Sequence, residues 1–322
     1  MSIIELKDSF NRKIDYIRVS LTKNCNLRCK YCMPECGVYK ESLLKIKDYE
    51  KVLLALSEVG IKKIKITGGE PLVRKDTMDL VKSLKESKKF TKITLTTNGL
   101  LIDKYIDEII NYMDGVNISI DSLNDSMYKY ITGGELQNLK ENIRLLLKRG
   151  YKNIKLNTVL IRGFNDKEIL NLITFAEDNN LILRFIELMP MGNGKAYNKF
   201  SREEIDCVVS KVYKNKKRYN GKLGNGPAEY FTYDNLKIKI GFIDALGHSF
   251  CKNCNRIRLD SDGKIVFCLC YDTGFSTLDY IDGSITKDEF LKRVTQEILL
   301  KPMENIFNKK SESSYSMNEL GG

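Results

Sequence analysis

Three cysteines fall in CNLRCKYC, Cys25 to Cys32, and three more in CKNCNRIRLDSDGKIVFC, Cys251 to Cys268. In the first group three residues separate Cys25 from Cys29 and two separate Cys29 from Cys32; in the second, two separate Cys251 from Cys254 and thirteen separate Cys254 from Cys268. A structural zinc ion wants four ligands and a disulfide two. Thiolates held this closely on a loop suit an iron–sulfur cluster, where each binds a different iron and three of them leave one iron open to a small molecule. The other readings are a zinc ion completed by a distant residue, chance clustering, and, for the second group, a zinc ribbon completed by Cys270. Leu269 between them on a strand would turn Cys270 to the face opposite Cys268. His248 is the only histidine, which nearly excludes mixed Cys/His zinc sites. Cys36 and Cys270 are extra thiols beside the two groups, and Cys207 in EEIDCVVS reads as a buried helix residue.

Two further stretches carry polar chemistry. In TGGEP, Gly68 and Gly69 would let the backbone approach a ligand closely, and Glu70 can accept a hydrogen bond from an ammonium group. Behind Cys254 come Asn255, Arg256 and Arg258. Two arginines at i and i+2 of an extended segment project from one face, able to grip phosphate or purine acceptors bidentately.

The elements that position these residues follow from periodicity. Short β-rich runs recur as YIRVSL, IKKIKIT, KITLTT, GVNISI, IKLNTVL and LILRFIEL, with helical patterns between them. DYEKVLLALSEVG places Val52, Leu53, Leu56 and Val59 on one face and stops at Gly60; NLKENIRLLLKRG stops similarly at Gly150. Strand spacing near the roughly 30 residues of a βαβ unit predicts a parallel α/β architecture whose chemistry lies at the C-terminal ends of the strands. The loops CNLRCKYC, TGGEP, TTNG, DSLND and MPMGNGK fall there. After about Gly194 the rhythm changes, and KVYKNKKRYNGKLGNGPAEY reads as a solvated connection. A helix is expected around ITKDEFLKRVTQEILL, followed by a polar tail.

Composition sets outer limits. The 322 residues carry 53 Lys and Arg against 42 Asp and Glu, a net charge of +11. This suits a nucleic acid, an acidic surface or a phosphorylated small molecule, although much of the charge reads as a solvated lysine-rich surface. No basic block is interleaved with stacking aromatics as single-strand binding requires. No run approaches the roughly 18 apolar residues of a membrane span, and no apolar core precedes the first charges, so a cytoplasmic location is expected. Nine cysteines without a secretion signal argue for metal or redox chemistry.

The CxxxCxxC spacing, with Tyr31 before its third cysteine, resembles the signature of the radical S-adenosylmethionine (SAM) superfamily. With RVSLTKNCNLRCKYCMP, KITGGEPLVRKD, TTNG, NISIDSL, KLNTVL, RFIELMPMG, CNRIRL and the terminal Gly321-Gly322 in place, the chain resembles over essentially its whole length the radical SAM GTP 3′,8-cyclases, the molybdenum cofactor biosynthesis protein A family. The resemblance implies an incomplete (βα)6 TIM-like barrel over residues 1–220 and a C-terminal iron–sulfur cluster domain over 221–322. It implies SAM and two 4Fe–4S clusters, the first on Cys25, Cys29 and Cys32, the second on Cys251, Cys254 and Cys268 with its open iron meeting guanine. Tyr31, Gly68, Gly69, Glu70, Ser119 and Met189 would contact SAM. Arg18, Lys65, Thr96, Lys155, Asn255, Arg256 and Arg258 would contact GTP, with Arg256, Arg258, Gly321 and Gly322 catalytic. The implied reaction abstracts hydrogen from C3′ of GTP and closes a bond to C8. A cyclic pyranopterin monophosphate synthase would act downstream, a low-potential donor would supply electrons, and a homodimer is the expected assembly, with no membrane or nucleic-acid partner. A peptide-maturing radical SAM enzyme and a zinc- or cluster-bearing RNA-binding module are the competing readings. The first should carry more C-terminal cysteines, and the second should show steeply salt-dependent RNA binding.

Overall fold

Within the strands, apolar residues alternate with polar ones, and the fold follows from which side each set faces. The computed structural model describes residues 5–33, 42–221, 223–244, 251–271 and 273–304; Cys36, His248, Gly321 and Gly322 lie outside the described residues. Six strands run in order through the first two thirds: β1 (Tyr16–Ser20), β2 (Lys63–Thr67), β3 (Lys92–Thr97), β4 (Gly115–Ser119), β5 (Ile154–Leu160) and β6 (Ile182–Glu187). Helices connect them: α1 (Ile46–Glu58), α2 (Thr77–Glu86), α3 (Ile106–Tyr112), α4 (Asp125–Thr132), α5 (Leu136–Lys148) and α6 (Ile169–Asp178), with α7 (Arg202–Val212) after β6. The expected six-unit α/β architecture is therefore present.

The C-terminal third extends the same sheet at both edges. β7 (Lys217–Tyr219), β8 (Glu229–Thr232) and β9 (Ile240–Ile243) follow β6, while β10 (Arg256–Leu259), β11 (Lys264–Val266) and β12 (Gly274–Ser276) lie beyond β1. β9 pairs parallel with β6 and β10 parallel with β1, so β10, β1 to β6 and β9 form one parallel run flanked by antiparallel strands. Among the described residues no pairing joins β9 to β10, and the sheet is open rather than a closed barrel.

The lysine-rich stretch expected to be a solvated connection instead forms the β7–β8 hairpin, with Lys217, Arg218 and Tyr219 opposite Thr232, Phe231 and Tyr230. Its polar composition hid a short alternation that only the neighbouring β9 edge makes worthwhile. The C-terminal helix expected around ITKDEFLKRVTQEILL is α9 (Lys287–Leu299), preceded by the short α8 (Leu278–Ile281) and opened by a Thr286–Glu289 capping box.

Ile17, Val19, Ile64, Ile66, Ile93, Leu95, Leu183, Phe185, Ile257 and Leu259 face outward into the helix layer and are essentially inaccessible. Each contributes about 1.5–3 kcal/mol of burial free energy. Helix α1 buries Tyr49, Val52, Leu53 and Leu56 in the same core. On α7 the inward residues are Ile205 and Val209, one turn apart, which leaves Cys207 exposed and corrects its reading as a buried residue. No helix among the described residues is long and apolar enough to cross a membrane.

Candidate active site

The inner face of the sheet lines one cavity that is open to solvent. Period-two alternation supplies its wall: Tyr16 and Arg18 from β1, Lys65 and Thr67 from β2, Asn157 and Val159 from β5, Arg184 and Ile186 from β6, and Arg256 and Arg258 from β10. Thr96 and Thr97 of β3, Ser119 of β4, Tyr230 of β8 and Ile243 of β9 also line it, as does Asp121 just beyond β4. Residues from opposite ends of the parallel run thus face one space, so the sheet curls around it without closing.

Cys25, Cys29 and Cys32 line the same cavity together with Tyr31, Gly68, Gly69 and Met189. Their loop is fixed from several sides. Arg28 N and Lys30 N donate to Thr132 O and Ile131 O at the end of α4, Arg28 Nη1 donates to Cys25 O at 2.7 Å, and Asn193 Nδ2 donates to Met33 O at 2.7 Å. Gly69 N donates to Thr22 O at 2.7 Å and Glu70 N to Asn24 O at 2.8 Å. A Cβ on Gly68 would lie 2.7 Å from Thr22 O, and one on Gly69 would lie 2.7 Å from Lys23 O. The demonstrated work of this glycine pair is therefore to let the TGGEP turn press against the backbone leading into Cys25.

Glu70 is buried and outside the cavity wall, with Oε1 accepting from Leu72 N at 3.0 Å and Thr97 Oγ1 at 2.8 Å and Oε2 from Asn98 N at 2.7 Å. It ties the second loop to the third. Asn98 in turn points Nδ2 at Cys25 Sγ, 3.8 Å away. Burial lifts the Glu70 carboxyl to about 7 against the pull of those three donors.

The donor set fits an iron–sulfur cluster: three sulfurs on one half-buried loop, an N–H from Leu27 on Cys25 Sγ at 3.4 Å, and, among the described residues, no histidine. Burial pushes the Cys25 thiol up to about 11 and, with the charges of Cys25 and Asp121 adding, Cys32 up to about 12. A bound cation of any kind favours the thiolates instead. Among the described residues no three His, Cys, Asp or Glu side chains converge as a single ion would require.

Asp121 and Arg184 escaped the sequence reading. Asp121 Oδ2 accepts from Tyr31 Oη at 2.7 Å and Oδ1 from Val159 N at 3.0 Å, and burial raises the carboxyl to about 6 despite both donors. It fixes the ring that precedes Cys32. Arg184 is held by Asn157 Oδ1 at 2.8 Å and Asn117 Oδ1 at 2.5 Å. Gly226, Pro227 and Ala228, before β8, also line the cavity. A Gly-Pro pair beside a polar run was the one available signal for them.

Cations dominate the floor. Arg18 sits in register with Arg258 on one side and Lys65 on the other, and Tyr16 with Arg256. Burial, followed by repulsion from Arg184, Arg18, Lys155 and Arg256, brings Lys65 well below the ordinary lysine value. Burial and the Arg18 and Arg256 charges lower Arg258 as well. Such a cluster favours a ligand with several negative charges. Two expected contacts lie off the wall. Lys155, two residues before Asn157 on the same face of β5, donates to Asn153 Oδ1 at 3.1 Å, and burial and Arg184 bring it down to about 8. Asn255 Nδ2 donates to Asp15 Oδ1 at 2.9 Å while its carbonyl accepts from Asp15 N and Tyr16 N, which staples β10 to β1.

The second cysteine group is bracketed by this wall: Arg256 follows Cys254 by two residues and Leu269 follows Cys268 directly. β11 ends at Val266, so strand alternation does not extend to Cys268 and Cys270; the turn puts the Cys270 thiol against Cys268 rather than on an opposite face. That hydrogen bond lowers Cys268 to about 6, against burial and with help from Lys301. Burial raises Cys254, but Lys301 and Arg256 outweigh it and leave the thiol below its ordinary value.

Comparison with known proteins gives two family matches, "Radical SAM superfamily" over residues 19–176 and "Molybdenum Cofactor Synthesis C" over residues 181–307. A GTP 3′,8-cyclase of Clostridium perfringens is 38% identical over 98% of this chain and 100% of its own length. One of Peptoclostridium acidaminophilum is 40% identical over 98% of each chain. Among solved structures, Streptococcus suis SuiB bound to precursor peptide SuiA superposes with a TM-score of 0.66 at 16% identity, covering 95% of this chain and 76% of SuiB. That likeness shows the shared fold.

Proposed function

Since the chain belongs to the GTP 3′,8-cyclases of the radical SAM superfamily, we propose which of its residues carry that family's reaction. The protein cyclises GTP to (8S)-3′,8-cyclo-7,8-dihydroguanosine 5′-triphosphate, a lyase reaction and the first step of molybdenum cofactor biosynthesis, with SAM and a 4Fe–4S cluster. The observation that supports the residue assignment is a single cavity lined at once by three thiols and by cations from β1, β2, β6 and β10.

Cys25, Cys29 and Cys32 hold the first cluster, and Tyr31, Gly68, Gly69, Ser119 and Met189 form the SAM side of the cavity. Glu70 acts from behind by fixing the loops. The chemistry that cluster and SAM supply when bound is hydrogen abstraction from carbon at C3′. This chain's part is orientation: Arg18, Lys65, Arg256 and Arg258 grip the triphosphate and purine acceptors, Thr96 and Arg184 flank them, and Lys155 and Asn255 support the strands beneath. Gly321 and Gly322, outside the described residues, are kept as catalytic by family resemblance. Cys251, Cys254 and Cys268 hold a second cluster facing guanine, in the C-terminal unit over 221–322, beside a partial-barrel unit over 1–220. A cytoplasmic homodimer, a low-potential electron donor and a downstream cyclic pyranopterin monophosphate synthase complete the proposal.

Anaerobic reconstitution with iron and sulfide, followed by SAM, dithionite and GTP, should yield 5′-deoxyadenosine and the cyclised nucleotide together. Deoxyadenosine whose formation ignores GTP, with no cyclised product, would refute the assignment. Ligand choice is testable separately: Cys268→Ala should lower bound iron from about eight to about four per chain, and Cys270→Ala should leave it unchanged. Equal loss in both would show that Cys270 is a ligand.

The lowered Lys65 gives a pH signature. Burial and neighbouring cations disfavour its charged form, and a triphosphate favours it, so binding raises its pKa. At pH above the lowered value of free Lys65, GTP binding should therefore take up protons, and at lower pH the uptake should vanish because the ammonium is already charged. Calorimetry in two buffers of different ionisation enthalpy measures the uptake, and Lys65→Met should abolish it. An uptake that persists in that variant contradicts the assignment.

A further inference from the structure

Lys301, just beyond α9, is 4% exposed, yet a lysine ammonium enters a protein interior only at a penalty of several kcal/mol unless it is well held. Its Nζ donates to the carbonyl of Arg256 at 3.1 Å and to the carbonyl of Phe267. Phe267 immediately precedes Cys268, and Arg256 lies two residues beyond Cys254. One cation thus ties together the two arms that carry these cysteines. The third arm joins through the next residues: Arg12, anchored by Asp8 at 2.6 Å, donates to Pro302 O at 2.7 Å, to Met303 O at 3.2 Å and to Cys251 O at 2.7 Å. The segment from Lys301 to Met303 is therefore tied to the backbone beside all three cysteines, directly or through Arg12.

We propose that Lys301 is a positioning residue for the second cysteine group and that its charge sets the reduction potential of the cluster bound there. The inference rests on the proposal that Cys251, Cys254 and Cys268 hold a second cluster. Carbonyl dipoles hold the ammonium without cancelling its charge, and in the interior that charge is weakly screened. A cluster on three thiolates is negatively charged and gains one more negative charge on reduction. A fixed cation beside it stabilises the reduced form more than the oxidised form and raises the potential.

The test uses the full chain, reconstituted anaerobically, as wild type, Lys301→Met and Lys301→Arg. Iron content is measured, and each cluster is titrated with dithionite through redox mediators while its paramagnetic signal is followed. In Lys301→Met the one-electron reduction equilibrium of the second cluster should become at least about tenfold less favourable, about 59 mV more negative, while the first cluster stays where it was. Lys301→Arg, which keeps the charge, should restore most of the shift. Selective loss of the second cluster from the methionine variant, with retention in the arginine variant, also supports the role. Unmoved potentials, or parallel loss of both clusters, would overturn it. A wild type that binds only one cluster would instead overturn the second-cluster proposal, so the two failures are distinguishable.

Discussion

Replacing Gly69 with alanine is expected to strip iron from the first cysteine group and to lower 5′-deoxyadenosine formation at least about tenfold, while the cluster proposed on Cys251, Cys254 and Cys268 stays loaded. The new methyl group would sit 2.7 Å from the carbonyl of Lys23 and closer still to that of Asn24, both backbone atoms with nowhere to turn. Overpacking of this kind costs about 1–3 kcal/mol. Moving the loop to relieve it breaks the Gly69–Thr22 and Glu70–Asn24 hydrogen bonds, worth about 0.5–1.5 kcal/mol each. Either response displaces the residues that lead into Cys25. Gly150→Ala is the matched control, since its φ of +78° strains a side chain but nothing lies within 4 Å. It should lower thermal stability and leave iron content intact. Iron retention in Gly69→Ala would mean that the turn does not position the cysteine loop.

Arg258→Met should weaken GTP binding by about 1.5–3 kcal/mol, roughly ten- to a hundredfold in Kd, the usual loss for a charged hydrogen-bonding group. Arg258 is 6% exposed, faces the cavity and shares its register row with Arg18 and Lys65. In the GTP-free protein those neighbours repel it, so thermal stability should not fall in step with affinity. Binding calorimetry and a melting curve on the same variant separate the two effects. A variant that loses stability but keeps its GTP affinity would place Arg258 in the scaffold and outside the substrate site.

Much of this arrangement could be read from residue order. The i, i+2 spacing in CNRIRL placed Arg256 and Arg258 on one face of their strand, and the structure sets both on the cavity wall beside Arg18, which only the family resemblance had singled out. The six strands were visible because buried aliphatic residues recur at every second position between helical stretches. What escaped depended on contacts between distant segments. Glycines 68 and 69 are recognisable as a close approach, but that the approaching partner is Thr22 to Asn24 emerges only when the two loops stand side by side. Asp121 carries no signal of its own in DSLND, because its role rests on Tyr31, ninety residues earlier, donating to it. The β7–β8 hairpin was masked by lysine and asparagine because its stability comes from pairing with β9 rather than from its own pattern. Cys270 was misplaced by extending strand alternation past the end of β11.

The central claim is that one cavity, lined both by the three cysteines and by cations of β1, β2 and β10, brings the SAM side and the GTP ribose together. GTP carrying deuterium at C3′ tests this directly, by mass spectrometry of the 5′-deoxyadenosine released in a single turnover of the reconstituted protein. The account predicts deoxyadenosine that carries one deuterium atom, formed in step with the cyclised nucleotide. Deoxyadenosine free of deuterium, released while GTP is bound, would contradict it.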